Sequence, residues 1–173
     1  DVYREHMVFL KEQGHRYLQT LQTRDTRGFP IMYIATSDDF DKVWNIFKEN
    51  KKWFPHVRSF HIRNRLNWGQ VVFENNVVIT HQIYKRNGKI GRDTDVVTQT
   101  GDCILHQIVK GTDGNARKTM EDFFAYVNTN VYLSVREENT IACKFYEKVG
   151  MKQVGTISWA KGTMPGLIWK KKI

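Results

Sequence analysis

The chain predicts an α/β domain, and three observations carry that prediction. Ile104–Val109 is a short apolar run rich in β-branched residues and reads as a buried strand. A glycine-bearing turn follows, after which Met120, Phe123, Phe124 and Val127 recur at helical spacing. A second apolar run, Val131–Val135, leads into another helix between Asn139 and Gly150. Strand, glycine turn, helix, strand and helix place Gly111, Gly114 and Ala116 at the first strand-to-helix junction. Backbone N–H groups there and the positive end of the helix dipole would face the same anion. Two glycines before a helix also serve as a plain connection.

The other elements follow in order. Tyr3, Met7, Leu10, Tyr17 and Leu21 mark an amphipathic helix over residues 1–24, with Arg4, Glu5, Lys11, Glu12 and Arg16 on its other faces. Its apolar seam suits packing on the chain's own domain or joining two subunits of a homodimer. Gly28 and Pro30 end a connector, so the chain divides into an extension, 1–28, and one domain, 29–173. Ile31–Ala35 reads as the first strand. Thr36 or Ser37 then caps a helix whose early acids, Asp38, Asp39 and Asp41, complement its positive end, with Phe40, Val43, Trp44 and Phe47 inward.

The segment 53–68 mixes Trp53, Phe54, Phe60 and Trp68 with His56, Arg58, His61, Arg63 and Arg65. It reads either as an amphipathic helix with buried rings and a solvated basic face, or as a surface that stacks bases and grips phosphate. Gly69–Glu74 and Val77–Tyr84 flank Asn75-Asn76, a two-residue hairpin turn. Lys85–Thr100 is polar and glycine-containing, a long hairpin loop or flap. Gln153–Ala160 and Leu167–Lys172 form a closing antiparallel pair.

The last helix of the α/β unit reads Asn139-x-x-Ala142-x-x-Phe145-Tyr146-Glu147-Lys148-x-Gly150-Met151. This resembles the motif of the GNAT superfamily of acetyl-CoA-dependent N-acyltransferases. In that family the preceding turn carries Q/R-x-x-G-x-G/A. Here Gly111-Thr112-Asp113-Gly114-Asn115-Ala116 keeps the second glycine and the small residue, and Gly111 stands where Gln or Arg is usual. The resemblance follows the element order over roughly 31–172 and is motif-specific over 104–151. It implies a mixed, mostly antiparallel central sheet with helices on both faces, with the N-terminal helix as an extension. It also implies that acetyl-CoA or coenzyme A binds along Gln107, Ile108 and Val109 and at Gly111, Gly114, Asn115 and Ala116. Arg117 or Lys118 would be the cationic partner of its phosphates, and Asn139 would contact the cofactor, cap its helix, or both.

Moving an acyl group from a thioester to an amine needs an acid for the departing thiolate and a base for the amine proton. The resemblance makes Tyr146 the acid, and a phenol is protonated at neutral pH. Its bland alternative is a core ring beside Ile141, Ala142 and Phe145. His106 and His81, on neighbouring strands, are the candidate bases. Each could equally be a hydrogen-bonded structural histidine, and Glu74 or Asp102 could relay a proton through water. No His/Cys/Asp/Glu set has convincing metal spacing, and Cys103 and Cys143 read as buried thiols of a reducing, cytoplasmic compartment.

At 173 residues with 40% hydrophobic content the chain suits one folded domain, and no run is long enough to span a bilayer. Its net charge of +9 favours an anionic partner, coenzyme A or nucleic acid, and is spread along the chain. The expected reaction is therefore N-acylation of a small-molecule or protein amine. Its rivals are modification of a nucleobase or nucleic acid, and a non-catalytic protein that binds coenzyme A or nucleic acid.

Overall fold

The computed structural model describes residues 32–173. The expected N-terminal helix and its subunit-joining seam lie outside the described residues. The elements are β1 (Tyr33–Ile34), a 3₁₀ turn (Ser37–Asp39), α1 (Phe40–Glu49), α2 (Ser59–Asn67), β2 (Val71–Glu74), β3 (Val77–Ile83), β4 (Gly88–Lys89) and β5 (Val97–Thr98). They continue with β6 (Cys103–Lys110), α3 (Ala116–Val127), β7 (Val131–Arg136), α4 (Thr140–Lys148), β8 (Lys152–Trp159) and β9 (Met164–Lys171). Seven strands form one sheet in the order β1-β2-β3-β6-β7-β9-β8, and β4 pairs with β5. The mixed, mostly antiparallel sheet is as expected: β6–β7 is parallel, while β1–β2, β2–β3, β7–β9 and β8–β9 are antiparallel. The chain separates into two compact units. One is the chain up to His81 with Gln107–Tyr126, and the other is Gln82–His106 with Val127–Ile173.

In the first unit the β2–β3 hairpin turns at Asn75 and Asn76, whose φ values of 47° and 60° are the left-handed pair that a two-residue turn requires. Strand alternation then sorts the side chains. Val71 and Val78 share a core with Val43, Ile46 and Phe47 of α1 and Ile62 and Leu66 of α2. His81, of the opposite parity, packs against Phe123 and Tyr126 of α3. Helices thus cover both faces. In α2 the burial departs from the expected buried rings. Ile62 and Leu66, one turn apart, take the core, and Phe60, two residues from Ile62, is turned outward.

In the second unit Ile104, Tyr132, Ile157 and Ile168 form a core cluster, and Tyr84, Ile90, Val96 and Trp159 pack against it. The 85–100 segment therefore lies on the sheet through its own apolar residues. The fit is tight at glycines. A Cβ at Gly155 would stand 2.4 Å from Val96, and one at Gly166 would stand 2.4 and 2.6 Å from ring carbons of Trp159. Gly166→Ala should destabilise the protein by about 1–3 kcal/mol, because a β9 backbone held on both sides cannot retreat from the indole. Urea unfolding should show a lower midpoint at an unchanged slope. An unchanged midpoint would contradict this packing account.

Candidate active site

In the first unit, β6 ends in a loop held from three directions. Asn50 Nδ2 donates to Lys110 O at 3.0 Å and to Ile46 O at 2.8 Å, tying the loop to the end of α1. Asn76 at the hairpin tip donates through Nδ2 to Thr112 O at 2.7 Å and accepts from the Gly111 amide at 2.8 Å. The hairpin comes so close that only glycine fits. A Cβ at Gly111 would lie 2.5 Å from Asn76 Nδ2, and one at Gly114 would lie 2.9 Å from the Asn76 carbonyl and 3.0 Å from Lys110 Cβ. Asp113, at φ 61°, completes the turn, and the Gly114 amide closes back on Gly111 O at 3.1 Å.

This geometry narrows the expected cradle. The amides of Gly111 and Gly114 serve the loop and not a ligand. Asn115 caps α3, its Oδ1 accepting from the Lys118 amide at 3.1 Å. The first two amides of the helix, those of Ala116 and Arg117, have no acceptor among the described residues and face outward along the positive end of the helix. Of the expected cradle, 111–116, only the amide of Ala116, together with that of the next residue, Arg117, stays open to an anion.

The cations divide as well. Lys118 Nζ stands 2.7 Å from Asp122 and 3.5 Å from Glu74, so it is committed to carboxylates. Arg117 is largely exposed and makes only a 3.4 Å contact with Glu121. An exposed pair of that kind contributes little, which leaves the Arg117 guanidinium able to turn to a phosphate.

Glu74, expected as a possible proton relay, is a structural carboxyl. Its side chain is fully buried, with Thr119 Oγ1 at 3.4 Å from Oε1. Burial first, then the hydrogen bond and charge of Asp122, push it up to about 8, against the opposing pull of Lys118. The 2.7 Å contact makes Lys118 and Asp122 the ion pair, with Glu74 holding its proton at neutral pH. The folded pKa lies above the ordinary value of 4.5, so the native state binds the extra proton. Stability contributed by that proton is complete at acid pH and is lost as pH rises from about 4.5 through about 8. Glu74→Gln should flatten this loss. Thermal melts should show the wild type giving up Tm between roughly pH 5 and 8.5, and the variant giving up less. Parallel curves would contradict it.

β6, the strand expected to carry the cofactor, is itself partly engaged. The Gln107 amide donates to Thr80 Oγ1 at 3.0 Å, and that hydroxyl donates to Gln107 Oε1. Val109 is buried in the α1–α2 core, and Ile108 is partly buried. The β6–β7 ladder registers only two pairs, Cys103–Val131 and Ile104–Tyr132. From Leu105 onward β6 has no registered β7 partner. Of the two candidate bases, His81 is fully buried among aromatic edges, and His106 on β6 is partly buried.

The second unit holds the remaining expected residues. Asn139 caps α4, its side chain accepting from the Ala142 amide at 3.2 Å. Tyr146, partly exposed, meets Phe145 at 5.6 Å and Trp169 at 6.4 Å between ring centroids. Burial, with a smaller effect of the Cys143 thiol, pushes its phenol up to about 12. Asp102 is used by the chain: its Oδ2 accepts from the Gln99 amide at 2.8 Å and its Oδ1 from Asn130 Nδ2 at 3.4 Å. Cys103 is buried and Cys143 only partly so, and both are free thiols. A cleft of about 730 Å³ is lined by Lys89, Arg92, Asp95, Tyr132, Thr156 and Lys170, among others, and none of the expected site residues line it. Nothing in the sequence pattern marked it, because its wall is the folded 85–100 segment. Among the described residues no helix is long and apolar enough to cross a membrane.

No protein-family model and no curated protein sequence matches the chain. Solved structures do. A GNAT-family acetyltransferase from Streptococcus agalactiae matches over 82% of this chain and 94% of that one, with a TM-score of 0.61 at 12% identity. Arabidopsis thaliana NAA60, solved in complex with acetyl-CoA, matches over 82% and 98%, with a TM-score of 0.59 at 13% identity. The ribosomal-protein-S18-alanine N-acetyltransferase of Escherichia coli matches over 80% and 90%, with a TM-score of 0.56 at 13% identity. At such identities the likeness establishes the fold alone.

Proposed function

We propose that this chain, which carries the fold of the GNAT acetyltransferases, transfers an acetyl or other short acyl group from coenzyme A to the amine of a small molecule or protein. The observation that carries the proposal is the clamped loop at the end of β6. It presents the Ala116 and Arg117 amides at a helix start and is held rigid by Asn50 and Asn76 before any ligand arrives. A diphosphate suits that chemistry: two outward amides, a helix dipole and the Arg117 guanidinium, held only by its exposed contact with Glu121. The β6 backbone beyond Ile104 offers polar groups to an extended, amide-bearing arm, as a strand edge does.

Bound coenzyme A supplies the acyl group as a thioester. The protein's own part is to hold it and to move protons. Tyr146, whose phenol stays protonated well beyond neutral pH, is the proton donor to the leaving sulfur. His106, the more accessible of the two strand histidines, is the base that takes the amine proton. His81 supports α3 by packing.

Thiol release from acetyl-CoA, followed with an aromatic disulfide in the presence of a set of primary amines, tests the activity. An amine-dependent rate above spontaneous hydrolysis is expected. Binding of acetyl-CoA with no such rate for any amine would leave a non-catalytic coenzyme A protein and overturn the transferase reading.

A further inference from the structure

We propose that the connection between α1 and α2, with the outer side of α2, is a docking surface for single-stranded nucleic acid. Between Glu49 and Glu74 the chain has no acidic residue, and it carries Lys51, Lys52, Arg58, Arg63 and Arg65. Basic residues are spread along the whole chain, and in this stretch the five of them occur with no acid between. Two of the five have internal duties. Arg63 stacks on Phe40 with its guanidinium carbon 3.6 Å from the ring centre, and Arg65 donates to Gln70 Oε1 at 3.2 Å. Lys51, Lys52 and Arg58 are exposed, and no carboxylate among the described residues pairs with them.

The same surface shows water its largest apolar side chains. Trp53 is 58% exposed, Phe60 54% and Trp68 38%. Open rings and cations without a carboxylate partner on one stretch of chain need an occupant that satisfies both. Lys52 Nζ lies 5.3 Å from the Trp53 ring centre, and the Phe60 ring centre lies 4.1 Å from that of His61, so a cation stands over one open ring and an imidazole beside another. An acidic peptide would meet the cations and leave the ring faces bare. A single strand offers a phosphate and a flat base in every repeat, which is the combination that stacking platforms on basic grooves bind. A duplex hides its base faces and would use only the charges.

The test uses the full chain, without coenzyme A, and the fluorescence anisotropy of a labelled oligodeoxythymidine. With three unpaired cations engaged, the logarithm of the association constant should fall against the logarithm of salt concentration with a slope of about −2. The Trp53→Ala/Phe60→Ala variant should bind about tenfold more weakly or worse at the same slope, since base–ring stacking carries that share. Lys51→Ala/Lys52→Ala/Arg58→Ala should flatten the slope. Circular dichroism should match the wild type in both, as none of these side chains is in the core. Lys152→Glu on β8 controls for net charge and should change little. The proposal is overturned if the ring variant binds like wild type, or if Lys152→Glu weakens binding as much as the triple variant. It is also overturned if matched duplex or polyglutamate displaces the strand as well as unlabelled oligonucleotide does. A change in oligomeric state of the ring variant without DNA would make the rings a contact between copies and overturn it too. Because no coenzyme A is present, its outcome is independent of the acyl-transfer reading.

Discussion

Tyr146→Phe lowers kcat by about 100-fold or more and leaves the affinity for acetyl-CoA within a factor of two of wild type, on the usual range for loss of a positioned general acid. The substitution deletes one oxygen and keeps the ring against Phe145 and Trp169. Fold stability should therefore hold, and the loss should appear in turnover. The wild-type phenol, pushed up to about 12 mainly by burial, should show no deprotonation limb in the rate profile up to about pH 10. Stopped-flow measurement of thiol release with the best amine from the set checks both statements. A variant turning over at the wild-type rate would reduce Tyr146 to a packing residue.

Gly114→Ala weakens coenzyme A binding by about 10- to 100-fold, the equivalent of losing one or two hydrogen bonds to a charged group. A single methyl suffices because its contacts are the Asn76 carbonyl at 2.9 Å, Lys110 Cβ at 3.0 Å and Val77 Cγ2 at 3.1 Å, and the nearest of these is main chain. Either the hairpin tip or the loop has to move, and the Ala116 and Arg117 amides move with the loop. Asn76→Ala should reproduce part of the loss by removing the bond to Thr112 O. Arg117→Ala should weaken binding without touching loop shape. A thermal melt of each variant separates a displaced loop from a damaged fold. Equal affinity for wild type and Gly114→Ala would show that this loop does not hold the cofactor.

The seven strands of the main sheet, the turn at Asn75-Asn76 and the order of the last five elements are legible because each rests on local pattern (alternation or an apolar run, a left-handed dipeptide, helical spacing), whereas the short β4–β5 pair lies in 85–100, which reads as a loop. The two-carbon reach of the asparagines is not legible. Asn50 and Asn76 lie 60 and 36 residues from the carbonyls they hold, and nothing in a run of amino acids announces such a bond. The same holds for Lys118, which the sequence offers as a phosphate partner and the fold gives to Asp122 and Glu74. Gly111 is where sequence resemblance and structure inform each other. The residue departs from the family's usual Gln or Arg, and the fold explains it by the Asn76 amide lying 2.5 Å from any Cβ. Of the rings in 53–68, Phe54 packs on the first core while Trp53, Phe60 and Trp68 are exposed, and on α2 a two-residue offset from Ile62 turns Phe60 outward where apolar character alone does not decide.

Isothermal titration of the wild-type chain with acetyl-CoA, repeated with Gly114→Ala, tests the loop at the end of β6 most directly. One site per chain, with heat that fades in the variant, is the result expected here. No heat from the wild type, or identical isotherms for the two proteins, would contradict it.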